Sequence, residues 1–157
     1  MVPTTTPFPT TTPVPTTTPV PVPVECQNAI NLTGSWRLEH QGKGLKPISG
    51  EYNCDVNDMM VGVFPCFRFS QDGCNKFLDR CVPKFSCGAH NGMWTNSAMP
   101  TEIGISVDIK IHVVGNDGRC MVHSEDALAM KCSTDPNDFV YKYGSKSATH
   151  CDLGFCG

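Results

Sequence analysis

Residues 103–113 read IGISVDIKIHV, the clearest structural signal in the chain. Six aliphatic residues in this stretch, Ile103, Ile105, Val107, Ile109, Ile111 and Val113, alternate with Gly104, Ser106, Asp108, Lys110 and His112. A period of two residues is that of a β-strand with one buried face and one solvated face. The stretch therefore predicts a half-buried strand, with His112 on its exposed polar face.

Shorter strands are predicted on both sides of this stretch, at residues 36–40, 60–64, 67–70, 127–132 and 139–143. Turn signals separate them, namely Asp-Gly at 72–73, Asn-Asp-Gly at 116–118 and Asp-Pro-Asn at 135–137. Helical periodicity is poor throughout. The predicted fold is mainly β, a small, loop-rich and disulfide-rich domain preceded by an extended N-terminal segment.

Cysteine content indicates how such a small core is stabilised. Ten cysteines, an even number, are predicted to form disulfides: Cys26, Cys54, Cys66, Cys74, Cys81, Cys87, Cys120, Cys132, Cys151 and Cys156. This density is typical of proteins that fold in an oxidising compartment, and it leaves the connectivity open. The chain has no C-x-x-C pair, so we expect no metal site, and nothing in the sequence indicates a cofactor.

Charge and motifs exclude several classes of function. A chain of 157 residues with a net charge of −3 offers one domain and no basic surface for nucleic acid. No apolar run approaches the ~20 residues that a membrane span needs. The sequence contains no H-E-x-x-H or G-x-S-x-G motif. We therefore predict a secreted or cell-surface protein that is not an enzyme, although no signal peptide is visible.

The N-terminal tract, PTTTPFPTTTPVPTTTPVPVPVEC at residues 3–26, repeats the unit Thr-Thr-Thr-Pro-x-Pro. Alternating prolines favour polyproline II, so residues 1–25 are predicted to form a stalk and residues 26–157 the domain. Ser/Thr-rich sequence with proline is typical of O-glycosylated stalks. The predicted O-glycosylation sites are Thr4, Thr5, Thr6, Thr10, Thr11, Thr12, Thr16, Thr17 and Thr18. Because the repeat is already under way at Val2, we expect the chain to be a segment of a longer protein.

The end of this tract differs from the rest because Pro21 and Pro23 alternate with valines. In an extended strand, the amides of Val20, Val22 and Val24 point to one side, and the strand can pair along that edge only. One interpretation is therefore a docking strand that adds to a sheet edge of its own or a neighbouring domain. The other is a solvated linker.

Several motifs downstream occur in a recognisable order: Cys81-Val82-Pro83, Cys87-Gly88, Trp94, Pro100, Gly104, Cys120, Lys131-Cys132, Val140-Tyr141 and finally 150–156, HCDLGFC. This order resembles the uromodulin-type eight-cysteine domain, which is also found in the pancreatic zymogen-granule glycoprotein. Gly34-Ser35-Trp36-Arg37 is similar to the start of the same module. The resemblance implies a secreted or surface glycoprotein without catalytic activity. Such domains lie beside polymer-forming modules and present glycans to microbial adhesins.

The chain departs from this family pattern in three respects. Two of the eight family cysteines have no counterpart, one at 109–112 and one where Arg119 stands. Residues 47–78 look inserted, and their three cysteines together with Cys26 could form two further bridges. The family's late glycan sequon is absent, so the predicted N-glycosylation site is Asn31, in Asn31-Leu32-Thr33.

Two hypotheses for function follow. The first is a structural glycoprotein unit, a glycosylated rod with a compact domain, which self-associates with neighbouring units into a surface or matrix filament. The alternative is a secreted carbohydrate-binding or adhesion module on a Pro/Thr linker, which could bind carbohydrates or microbial adhesins. In that alternative the sugar-stacking residues would be Trp94, Tyr141 and Tyr143, unless these aromatic side chains belong to the core.

Overall fold

The computed structural model describes residues 20–33, 66–70, 76–143 and 153–157. These residues form one helical turn and seven strands: α1 Val24–Gln27, β1 Ile30–Leu32, β2 Cys66–Phe69, β3 Asn91–Trp94, β4 Ser106–Val113, β5 His123–Lys131, β6 Phe139–Tyr143 and β7 Leu153–Phe155. The mainly β, disulfide-rich fold predicted from the sequence is confirmed. Within these described ranges, no helix could span a membrane.

All seven strands belong to one sheet in the order β1-β2-β6-β5-β4-β3-β7. The five central strands run antiparallel, whereas β1 pairs in parallel with β2 and β7 pairs in parallel with β3. The longest ladder joins β4 to β5, from Ser106 opposite Met130 to Val113 opposite His123. The two edge strands, β1 and β7, are thus short, and each runs parallel to its neighbour.

An aromatic cluster fills the concave side of the sheet. Phe67 of β2 lies opposite Tyr141 of β6, and its ring stacks on that of Phe155 from β7 at a centroid distance of 4.8 Å. Phe77 packs edge-on against Tyr141 at 4.9 Å. Because β2 and β7 lie near opposite ends of the sheet, the stacking of Phe67 on Phe155 requires the sheet to curl around this core.

The alternating stretch that predicted a strand forms β4 over most of its length. Ile109, Ile111 and Val113 are buried in the core, as predicted. The prediction is wrong at the N-terminal end, where Ile105 is 51% exposed. The chain turns there, since Gly104 has a φ of +79° and residue 103 forms only an isolated parallel bridge to Lys131.

The other predicted strands have different outcomes. The strands predicted at 67–70, 127–132 and 139–143 correspond to β2, β5 and β6. Those predicted at 36–40 and 60–64 lie outside the described residues, as does most of the predicted insertion. Three short strands, β1, β3 and β7, and the helical turn α1 were not predicted.

Candidate functional site: the junction of the N-terminal segment with the sheet

The N-terminal segment enters the domain through a helical turn rather than a strand. Pro23 caps α1 with φ −56° and ψ 146°, and its carbonyl accepts hydrogen bonds from the amides of Cys26 (3.0 Å) and Gln27 (3.2 Å). The Gln27 side chain donates back to the carbonyl of Val22 at 2.9 Å. The predicted docking strand Val20, Val22 and Val24 is therefore wrong at its last residue, because Val24 is helical.

A disulfide between Cys26 and Cys132 fixes this turn to the sheet. Cys132 directly follows β5, and the bridge packs with Met130 and Val140 in a small buried cluster. Their strand neighbours Ala129 and Tyr141 belong to the aromatic core, so Met130 and Val140 point to the opposite face. The turn α1 thus covers part of the convex face of the sheet.

Arg68 provides a second attachment. Phe67 and Phe69 face the core, so Arg68 between them faces α1. Its guanidinium donates to the backbone carbonyl of Cys26 and, at 3.1 Å, to the carboxylate of Asp138. One side chain therefore links β2, α1 and the loop that precedes β6, and it satisfies a carbonyl of the helical turn.

Beside the turn lies a shallow groove of about 130 Å³, which we call the junction groove. It is lined by Glu25, Cys66, Ser106, Leu128, Ala129, Met130, Val140 and Lys142. The predicted disulfide at Cys66 is wrong for this structure, in which Cys66 is a free thiol. Every other cysteine in the described part of the chain is already paired. Burial raises the pKa of the Cys66 thiol; nearby Lys142 lowers it, and Glu25 raises it.

Two further disulfides brace the other end of the sheet. Cys81 pairs with Cys120, and Cys87 pairs with Cys156. Cys156 follows β7, so its bridge holds that edge strand against the loop that precedes β3. The remaining predicted disulfide cysteines, Cys54, Cys74 and Cys151, lie outside the described residues.

The predicted sugar-stacking role of the three aromatic residues is wrong. Only 7% of Trp94, 0% of Tyr141 and 5% of Tyr143 is exposed, whereas a stacking platform must present a ring face to solvent. Trp94 also donates its indole N–H to the carbonyl of Cys120 at 2.9 Å. The carbohydrate-binding alternative therefore loses the residues on which it was based.

His112 is likewise buried rather than exposed, with 5% of its surface accessible. Its Nδ1 lies 2.8 Å from the hydroxyl of Ser124, its Nε2 lies 2.8 Å from Oδ1 of Asn96, and its ring packs against Trp94. A neutral imidazole satisfies both contacts by donating from Nε2 and accepting at Nδ1. Burial, and then the charge of Lys110, lower the pKa of His112.

Two kinds of modification site were predicted. Asn31 lies exposed on β1, where it pairs in register with Arg68 of β2. Asn31 therefore lies on the surface of the domain, and its N-glycosylation stays a prediction. The nine threonines of the stalk lie outside the described residues, and their O-glycosylation stays a prediction. Across 20–33, 66–70, 76–143 and 153–157, no group of three or more potential metal ligands comes together.

A curled sheet braced by three disulfides is typical of small extracellular modules. Residues 67–157 match the model of the uromodulin-like eight-cysteine domain family, and the chain belongs to that family. It is also similar to uromodulin of Mus musculus, with 27% identity over 135 residues. That match covers 83% of this chain but 18% of the mouse protein. The family resemblance noted in the sequence is thus confirmed.

Replacing Arg68 with alanine tests whether the turn is held from the sheet. The variant leaves the Cys26 carbonyl and Asp138 without their charged donor, so we expect a loss of about 1.5 kcal/mol in the free energy of unfolding. This value is at the low end for hydrogen bonds to charged groups, because the Arg68 side chain is 26% exposed. Amide hydrogen exchange across 24–28 should accelerate, as measured by mass spectrometry.

The control for this variant is Arg119→Ala, which removes an exposed ion pair with Asp117 at the other end of the sheet. It should leave the exchange of residues 24–28 at the wild-type rate. Equal exchange in both variants would contradict the proposed attachment.

The buried His112 predicts a pH dependence of stability. Because its pKa is lowered in the fold, the unfolded chain binds this proton more tightly, and acid therefore favours unfolding. The free energy of unfolding should be flat above about pH 7 and should fall as the pH drops through about 6.5, the ordinary histidine pKa. Denaturant titrations at successive pH values measure this free energy.

The His112→Gln variant should lose the pH dependence, whereas His123→Gln, at an exposed position, should retain it. An unchanged slope in His112→Gln would show that other groups cause it.

Proposed function

We propose that this chain is a non-enzymatic unit of an extracellular structural glycoprotein. In this proposal the residues up to Pro23 form an O-glycosylated rod, the compact domain begins at α1, and successive units assemble into a surface or matrix filament. The observation that carries it is the anchored junction, in which Cys26 is tied to the sheet by a disulfide and by Arg68. A flexible linker needs no such anchor, whereas a spacer that sets the direction between units does.

The rod is supported by the physical properties of its sequence. Polyproline II rises about 3.1 Å per residue, so these residues would span roughly 75 Å. The six-residue repeat equals two turns, so each threonine triplet places hydroxyls on all three faces of the rod. O-glycans would then surround the rod and keep it extended. An N-glycan on Asn31 would lie close to the point where the rod meets the domain.

Assembly would use the apolar end of the rod. Val20 and Val22 are 65% and 52% exposed, although both precede a turn that is fixed to the domain. A contact between this end and the next unit would be head-to-tail, and head-to-tail contacts that do not close on themselves generate filaments. The proposed partners are therefore neighbouring units and covalent glycans. The proposed location is outside the cell, in agreement with the family.

The test is to secrete the full chain from a eukaryotic host, measure the mass of the 1–25 peptide and image the intact material by electron microscopy. We expect a series of sugar masses on the peptide and elongated assemblies in the images. Asn31→Gln is the matched control, because it should remove the N-glycan mass and leave the masses on the tract unchanged. An unmodified tract together with isolated particles would contradict the proposed function.

A further inference from the structure

Exposed apolar side chains are concentrated beside the junction groove. Of the eight large hydrophobic residues that are exposed in the described part of the chain, three line the groove or directly adjoin a residue that lines it: Val24 (60%), Ile105 (51%) and Leu128 (36%). Leu128 lines the groove itself, and Val24 and Ile105 directly precede the lining residues Glu25 and Ser106. A cluster of this kind on a folded domain marks an interaction surface.

The two parts of this surface are held together. Pro23, which lies between Val22 and Val24, packs against Gly104, where an added Cβ would come within 3.3 Å of the proline ring. The Cys26–Cys132 bridge fixes the following turn. Val24 and Ile105 are therefore presented next to the groove by a fixed piece of backbone and form one patch.

The groove also holds one charge of each sign. Glu25 and Lys142 both line it, and neither forms an ion pair within the described residues. Both charges act on the Cys66 thiol, with opposite effects on its pKa. Because one carboxylate and one ammonium group line the same groove, two copies of this surface can pair each charge with its opposite.

We propose that a second copy of this chain covers the junction groove in a two-fold symmetric dimer, a contact that rests on the self-association in the proposed function. In a two-fold interface the same patch meets itself, so Glu25 of one copy faces Lys142 of the other, twice. The groove alone offers too little surface for a stable interface, which buries about 800 Å² per partner. Val24, Ile105 and Leu128 supply additional apolar area, and Val20 and Val22 stay available for the head-to-tail contact. Such a dimer would join units side by side, in addition to the head-to-tail contact.

Charge exchange tests this arrangement directly. Sedimentation equilibrium of the full chain should show a reversible dimer of twice 17.1 kDa plus glycans. Glu25→Lys or Lys142→Glu places like charges opposite each other and should raise the dimer dissociation constant at least about tenfold. The double variant, Glu25→Lys with Lys142→Glu, reverses both charges and should restore the dimer. Lys76→Glu, at an exposed lysine outside the groove, should dimerise like the wild type.

Alkylation of Cys66 provides a second measurement, which does not depend on the charge variants. The half-buried thiol should react with a maleimide more slowly as the protein concentration rises, because the partner covers it. A wild-type chain that stays monomeric at all concentrations overturns the proposal, and so does a double variant that remains as weak as the single variants. Filaments without this dimer would overturn the two-fold contact and leave the head-to-tail assembly of the proposed function standing.

Discussion

The disulfide between Cys26 and Cys132 determines where the N-terminal segment joins the domain. It closes a loop with a sequence separation of 106 residues, which contributes about 5 kcal/mol in the chain-entropy model. It also places α1 on the convex face of the sheet, where Arg68 can reach the Cys26 carbonyl. The buried cluster around Met130, the junction groove and the exposed valines all depend on that placement. The direction of the proposed rod depends on it as well.

The concave side of the sheet holds the core, which short strands can form only together. Edge strands of three residues bury little apolar surface alone, so the sheet curls until Phe67 and Phe155 stack. The bridge between Cys87 and Cys156 then holds β7 in place. A small domain with limited apolar burial commonly needs such cross-links.

Sequence alone predicted the elements whose signal is local. The alternation from Ser106 to Val113 and the aromatic run of β6 are long enough to show their period. β1 and β7 have only three residues each, and all four residues of β3 are buried, so none of these strands shows a clear period of two. The valine and proline alternation favoured an extended chain through Val24, but tertiary bonds from Cys26 and Arg68 select a helical turn. The burial of Trp94 and His112 depends on partners distant in sequence, and local patterns do not contain that information.

Family membership supports the role of an extracellular glycoprotein-type module, and the junction fixes the turn α1 against its sheet. The most direct test of that junction is a disulfide map of the native chain, from mass spectrometry of peptides digested without reduction. A peptide that joins Cys26 to Cys132 is the predicted result, with Cys81 linked to Cys120 and Cys87 linked to Cys156. A peptide that joins Cys26 to Cys66 instead would place the turn against β2, and it would contradict the anchored junction.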